Sequence, residues 1–137
     1  MIELDDFRGR WSVQRSIKDR RAGRTMTAEG TANIVADEAG LLYQEHMTLF
    51  VPGQAPLKAE RAYLWRATDA GIAVFFVDER PFHVIRLSDP KPEGRHFCAP
   101  DTYDVAYDFS KFPAWDNLWA VAGPAKNYVM HTHFHYT

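Results

Sequence analysis

Polar and apolar residues alternate with a period of two along most of this chain, in short runs that turn residues separate. Such alternation places every second side chain on one face and is typical of half-buried β-strands. Gly, Pro, Asp and Asn stand at many of the breaks, as chain reversals require. The pattern predicts nine or ten strands, over residues 9–18, 24–36, 41–51, 58–68, 72–77, 82–87, 95–98, 102–109, 118–122 and 128–136.

Short strands joined by hairpin-length connections form either a sandwich or a barrel. A short helical turn is expected over residues 3–8, and no convincing amphipathic helix is found elsewhere. The predicted inner face of the second strand carries Ala28, Gly30 and Ala32, whose small size would let a barrel wall bend or approach its neighbour. No internal repeat or linker is present, so the sequence predicts one domain over residues 1–137.

Two sets of residues resemble a known family. Phe7-Arg8-Gly9-Arg10-Trp11 resembles the Gly-x-Trp signature that begins lipocalin-like (calycin) barrels, in which the Gly lets the chain turn and the Trp plugs the closed end. Three further segments resemble a small bacterial lipocalin-like family catalogued as a domain of unknown function: residues 80–83, 96–103 and 119–128. The resemblance implies an all-β, antiparallel up-and-down barrel, and it implies no activity or catalytic residue.

Composition narrows the partners and the compartment. The formal net charge is −2, which gives no indication of a nucleic-acid or anionic-membrane partner. Aromatic residues make up 14% of the chain, and aromatic side chains often line ligand pockets. Cys98 is the one cysteine, the first residues are acidic, and no apolar run approaches the ~18 residues of a membrane span. We therefore expect a cytoplasmic protein.

Three charged side chains fall in phase with large apolar residues and are predicted to point into the barrel: Arg15, Glu45 and Arg61. Because burying an unpaired charge is very costly, we expect them to pair, Glu45 with Arg61 across a hairpin. Three in-phase tyrosines would complete the hydrogen-bonded shell: Tyr43, Tyr63 and Tyr107. The group is either a polar floor that holds a ligand carboxylate or carbonyl, or an ion pair that only fixes the barrel.

Residue types used in catalysis and metal binding gather in the second half of the chain: His83, His96, Cys98, Asp101 and Tyr103. The spacing of His96 and Cys98 matches no strong zinc pattern, and no second cysteine completes one. Cys98 is expected to be a small buried residue rather than a nucleophile. Catalysis, pocket lining and ordinary core packing all remain open for this group.

Three histidines alternate on the last strand: His131, His133 and His135. Alternate residues of a strand share one face and lie about 6.5–7 Å apart, so two imidazoles could chelate a metal. The opposite face holds Met130 and Phe134 and is the better core face. The histidines are therefore predicted to lie outside, where any metal binding would be adventitious, and no dedicated metal site is predicted.

These patterns favour a binding module over two alternatives. Its pocket would be aromatic, with Trp11 and Phe76 among the wall residues, and would take a small amphipathic ligand of aromatic or anionic character. The residues predicted to bind it are Arg15, Tyr43, Glu45, Arg61, Tyr63, Trp65, His83, His96, Tyr103, Tyr107 and Trp119. No cofactor is predicted, since nothing singles out one histidine as an axial ligand for haem.

The first alternative is a cofactor-independent lyase or isomerase. In it His83 or His96 would act as the general base and Arg15 or Arg61 would stabilise negative charge. The second alternative is a packed barrel with a structural or interaction role. Exposed aromatic residues near Phe109, Phe112 and Trp115 would then mark a homodimer interface.

Overall fold

A computed structural model describes residues 1–137 and confirms the all-β prediction. One 3-10 turn, Leu4–Phe7, precedes ten strands. The strands are β1 (Gly9–Asp19), β2 (Arg24–Ala36), β3 (Leu41–Phe50), β4 (Leu57–Thr68), β5 (Gly71–Phe76), β6 (Pro81–Arg86), β7 (Glu93–Cys98), β8 (Asp101–Asp108), β9 (Trp115–Ala122) and β10 (Asn127–Tyr136). The largest departure from the predicted bounds is β9, which begins three residues earlier than expected.

All ten strands belong to one antiparallel sheet. Each strand pairs with the next along the chain, except that β6 and β7 form no ladder, and β1 pairs with β10. β6 and β7 are therefore the two edges of the sheet, and they lie against each other. The result is a nearly closed up-and-down barrel, as predicted. No helix of the structure is long and apolar enough to cross a membrane.

Aromatic side chains plug the end of the barrel at which the N-terminal turn lies. Phe7 is fully buried and meets the rings of Trp65, Phe109 and Trp115 edge to face, each with centroids 5.4 Å apart. The indole Nε1 of Trp11 donates a hydrogen bond to the Phe7 carbonyl at 2.9 Å. Trp11 thus has the plugging role that the lipocalin-like resemblance implies.

The prediction that Phe109, Phe112 and Trp115 form an exposed patch is wrong. Phe109 is 4% exposed and Trp115 is 2% exposed, and Phe112 packs against the same core. Trp115 also stacks on Phe134 of β10, with ring centroids 3.7 Å apart. These residues are buried because the N-terminal turn brings Phe7 onto them, a long-range contact that periodicity within one segment cannot reveal.

The middle of β2 approaches β3 too closely to hold a side chain. A Cβ atom at Gly30 would overlap the carbonyl oxygen of His46, which is backbone and cannot rotate away. Gly30→Ala is therefore expected to lower the free energy of unfolding by about 1–3 kcal/mol, as overpacking does. Urea unfolding measures the change. Gly94→Ala is the matched control, because its Cβ would meet only ordinary contacts at 3.4 Å or more; equal stability of the two variants would contradict the prediction.

Candidate binding cavity

The barrel encloses a cavity of about 290 Å³ that is neither sealed nor a shallow surface depression. Every residue predicted to bind a ligand lies on its wall: Arg15, Tyr43, Glu45, Arg61, Tyr63, Trp65, His83, His96, Tyr103, Tyr107 and Trp119. Phe76 lines it as well, whereas Trp11 belongs to the plug at the closed end. The packed-barrel alternative required side chains to fill the interior. The cavity shows that they do not.

Other residues complete the wall, and periodicity alone did not single them out as binding residues: Val74, Phe82, Cys98, Trp115, Asn117, Tyr128, Met130 and Phe134. Asn117 was missed because the predicted strand began at residue 118. It stands in period-two phase with Trp115 and Trp119, and that phase is the signal that would have found it. The aromatic part of the wall includes a stack of Phe82 on Trp119, with centroids 5.1 Å apart and planes 9° from parallel.

A buried ion pair joins β1 to β3. The Nη1 and Nη2 atoms of Arg15 donate to the two carboxylate oxygens of Glu45 at 2.9 and 2.7 Å, and the Tyr43 hydroxyl donates to the same carboxylate at 2.7 Å. Arg15 Nε donates to the Thr132 hydroxyl at 2.8 Å. Burial works to raise the pKa of Glu45, but the hydrogen bonds and charge of Arg15 outweigh it and lower the pKa. Glu45 is therefore ionised and its carboxylate is engaged.

The predicted pairing of Glu45 with Arg61 is wrong, although the two residues are direct neighbours across β3 and β4. Arg15 reaches Glu45 by crossing β2, on which Ala28 lies opposite Arg15 and Ala32 lies opposite Glu45. These short side chains leave room above β2 for the guanidinium group. Arg61 lies exposed near the start of β4, where it borders the cavity and has no salt-bridge partner.

His83 and Tyr107 form a second buried polar pair. The Nε2 atom of His83 lies 2.8 Å from the Tyr107 hydroxyl oxygen. Burial, together with the nearby His96, lowers the pKa of His83 to about 3, so the imidazole is neutral at pH 7. Burial raises the pKa of Tyr107, so its hydroxyl stays protonated. A base with so acidic a conjugate acid accepts a proton poorly, which counts against His83 as a general base.

Three buried side-chain atoms have no hydrogen-bond partner within the protein: His83 Nδ1, Trp115 Nε1 and Asn117 Oδ1. All three belong to residues that line the cavity. Asn117 lies opposite Tyr107 across β8 and β9, and Tyr107 contacts His83, so two of the three sit beside one polar row. Buried polar groups are nearly always paired, and an unpaired one costs about 1–3 kcal/mol. The three atoms are themselves buried within the wall, so a ligand could pair with them only if neighbouring side chains moved aside.

The second candidate group is spread between the wall and the rim of the cavity. His96 is half-buried and packs edge to face on Phe82, with centroids 5.2 Å apart. The expectation that Cys98 is buried is wrong, because it lies exposed at the end of β7. No hydrogen bond joins Cys98 to a histidine, so His96 and Cys98 do not form a base and an activated nucleophile.

Two other members of that group are held by Lys126 of the β9–β10 turn. The Nζ atom of Lys126 lies 3.1 Å from an Asp101 carboxylate oxygen and 3.1 Å from the Tyr103 hydroxyl. These two hydrogen bonds raise the pKa of Lys126. The cluster therefore ties the β9–β10 turn to the start of β8 at the rim of the barrel.

The C-terminal histidines lie on the outer face, as predicted. Their neighbours on β10, Met130 and Phe134, are buried in the interior. His133 Nδ1 lies 2.8 Å from Asp116 Oδ1, and His131 Nε2 lies 3.4 Å from Asp116 Oδ2. His135 is exposed and stands outside this cluster.

The barrel topology and its lined cavity define a calycin-like β-barrel. Within that class, residues 7–136 match the Family of unknown function (DUF6314), and the chain belongs to this family. The lipocalin-like resemblance seen in the sequence is thereby confirmed at the level of the fold.

A solved structure has the same fold. The S-type phycobiliprotein lyase CPES from Guillardia theta superposes with a TM-score of 0.58 at 8% identity, over 96% of this chain and 87% of that chain. No curated protein matches the sequence of this chain. At such low identity the likeness concerns the fold alone.

Proposed function

We propose that the barrel binds a compact aromatic or amphipathic molecule that carries an anionic or strongly polar group. The observation that carries the proposal is a largely aromatic cavity that side chains leave unfilled and that has a few polar residues on its wall, Arg61, His83 and Asn117 among them. Ligand sites are concave and mostly apolar, with a few polar groups that orient the ligand. The volume of about 290 Å³ lies near the lower end of the usual range of about 300–1,000 Å³, which favours a compact ligand.

The preference for an anion rests on Arg61. Arg15 cannot serve an incoming anion, because its guanidinium is already bonded to Glu45 and Thr132. Arg61 has no salt-bridge partner and borders the cavity from an exposed position. A ligand carboxylate or sulfonate would therefore gain a charge-assisted hydrogen bond there while its rings lie against Phe82 and Trp119.

Binding is better supported than base catalysis. His83 and His96 do share one cavity with Arg15 and Arg61, as the enzymatic alternative required. However, the lowered pKa of His83 makes it a weak base, which leaves His96 as the remaining candidate for that role. The reaction named for the similar phycobiliprotein lyase is not carried over, because 8% identity supports the fold only.

Two matched fluorescent probes test the proposal: anilinonaphthalene sulfonate and its neutral parent, phenylnaphthylamine. The wild-type protein is expected to bind both. Arg61→Met should weaken binding of the sulfonate about tenfold, the value of one lost charge-assisted hydrogen bond, and leave the neutral probe unchanged. Fluorescence titration measures both affinities.

Arg95→Met is the control, because Arg95 is also exposed but pairs with Asp104 away from the cavity. Absence of binding of either probe would contradict the proposed function. Equal loss of both probes in a folded Arg61→Met protein would contradict the role of Arg61 in recognising an anion. Native mass spectrometry of the protein as purified would identify a ligand carried from the cell.

A further inference from the structure

We propose that Asp116, His131 and His133 form a binding site for a divalent transition metal of the zinc type on the outer face of β9 and β10. The three side chains offer one ligand atom each, and these atoms lie within 4.8 Å of one another. The site is on the opposite side of the barrel wall from the cavity and is independent of the proposed ligand.

The sheet itself brings the three residues together. His131 and His133 are two positions apart on β10 and therefore share its outer face. Asp116 is the direct antiparallel partner of His133 on β9. The Asp116 carboxylate lies between the two imidazoles, with one oxygen 2.8 Å from His133 Nδ1 and the other 3.4 Å from His131 Nε2. Backbone register, rather than loop geometry, thus defines the positions of all three ligands.

The distances are close to those a metal would need. Two ligands of a tetrahedral zinc with bonds of about 2.0–2.1 Å stand roughly 3.4 Å apart. The His131 and His133 side chains are 44% and 43% exposed, so core packing does not lock their rings. The ligand atoms, which lie within 4.8 Å of one another, would have to adjust to that spacing, and the half-exposed rings leave room for them to do so. In the absence of metal, the same carboxylate accepts hydrogen bonds from the rings.

The donor set selects the class of metal. Two imidazole nitrogens and one carboxylate oxygen suit zinc, copper or nickel, whereas calcium and magnesium prefer oxygen ligands throughout. Both histidines also border an outer groove of about 290 Å³, whose wall includes Gln14, Ser16 and Glu29. The groove leaves the remaining coordination positions of a bound metal open to water or another ligand, as in zinc sites with three protein ligands.

Calorimetric titration of untagged protein with Zn²⁺ tests the proposal. One ion per chain is expected, and His131→Gln, His133→Gln and Asp116→Asn should each weaken binding at least tenfold. His135→Gln is the matched control, since it lies on the same face two residues further along and should leave the affinity unchanged. Mg²⁺ at the same concentration should give no binding.

Thermal melts distinguish loss of the site from loss of the fold. Zn²⁺ should raise the melting temperature of the wild-type and His135→Gln proteins by equal amounts, and that of His133→Gln by clearly less. Undiminished zinc binding by folded His133→Gln or Asp116→Asn would overturn the proposal. The proposal would also be overturned if His135→Gln lost as much zinc affinity as His133→Gln, because that would show adventitious binding to exposed histidines.

Discussion

Replacing Arg15 with methionine is expected to lower the free energy of unfolding by about 3–5 kcal/mol, the range seen when one partner of a buried ion pair is removed. The side chain of Arg15 is 10% exposed and that of Glu45 is 3% exposed. The change leaves the buried Glu45 carboxylate with the Tyr43 hydroxyl as its one hydrogen-bond donor. Methionine keeps much of the volume, so the loss reports the unpaired charge rather than a cavity. Urea unfolding at pH 7 measures it.

Two comparisons make this result specific. The double variant Arg15→Met with Glu45→Leu should recover part of the loss, because an apolar pair replaces the buried charges, although the Tyr43 and Thr132 hydroxyls lose their partners. Arg95→Met removes an arginine that also donates two hydrogen bonds to a carboxylate, that of Asp104, but at the surface. Its cost should stay below about 1 kcal/mol. Equal losses in Arg15→Met and Arg95→Met would mean that water reaches Glu45.

The same experiment separates Arg15 from Arg61. Arg61→Met should change stability by less than about 1 kcal/mol, because Arg61 is exposed and has no salt-bridge partner to leave behind. Its effect is expected on ligand binding instead. Under the proposed function, Arg15 would serve stability and Arg61 would serve recognition of the ligand. Strand register alone points the other way, because it places Arg61, and not Arg15, directly beside Glu45.

Most of the fold could be predicted from the chain because strand periodicity is a local property. Side chains at alternate positions either face the interior or do not, and β2 begins and ends where the alternation does. Turn residues fix most other bounds to within one or two residues. The start of β9 was the main failure, because Pro113 and Lys111 make the approach to Trp115 look like a loop. Trp115 belongs to the strand because it pairs with Phe134 of β10, on which its ring also stacks, and both are contacts across strands.

The wall of the cavity could be predicted, but the hydrogen bonds within it could not. Phase alone predicted that Arg15, Glu45 and Arg61 point inward, which is right for the buried pair Arg15 and Glu45, whereas Arg61 lies exposed at the border of the cavity. Which arginine reaches Glu45 depends on the height of the side chains between them, and Ala28 on β2 decides it in favour of Arg15. The pairing of Arg15 with Glu45 depends on how β1, β2 and β3 curve around one interior. It therefore cannot be predicted from the sequence of any one strand.

Acid should destabilise the wild-type protein partly through His83. Its pKa in the folded protein is about 3, against about 6.5 for an unfolded histidine. Between these values the unfolded chain binds a proton that the folded protein excludes, so the free energy of unfolding falls as the pH falls. Above about pH 7, protonation of the unfolded chain at His83 costs the folded protein almost nothing. By pH 4 it lowers the free energy of unfolding by about 3 kcal/mol.

The variant His83→Gln isolates that contribution. Glutamine can still form a hydrogen bond to the Tyr107 hydroxyl but does not titrate, and carboxylates such as Glu45 contribute equally to both proteins. Urea unfolding between pH 7 and pH 4 should therefore show a steeper decline for wild type, with the difference reaching about 3 kcal/mol at pH 4. His135→Gln, which changes an exposed imidazole, should follow wild type. Parallel declines of wild type and His83→Gln would show that His83 takes up a proton within the folded barrel, and hence that water reaches the inner wall between His83 and Tyr107.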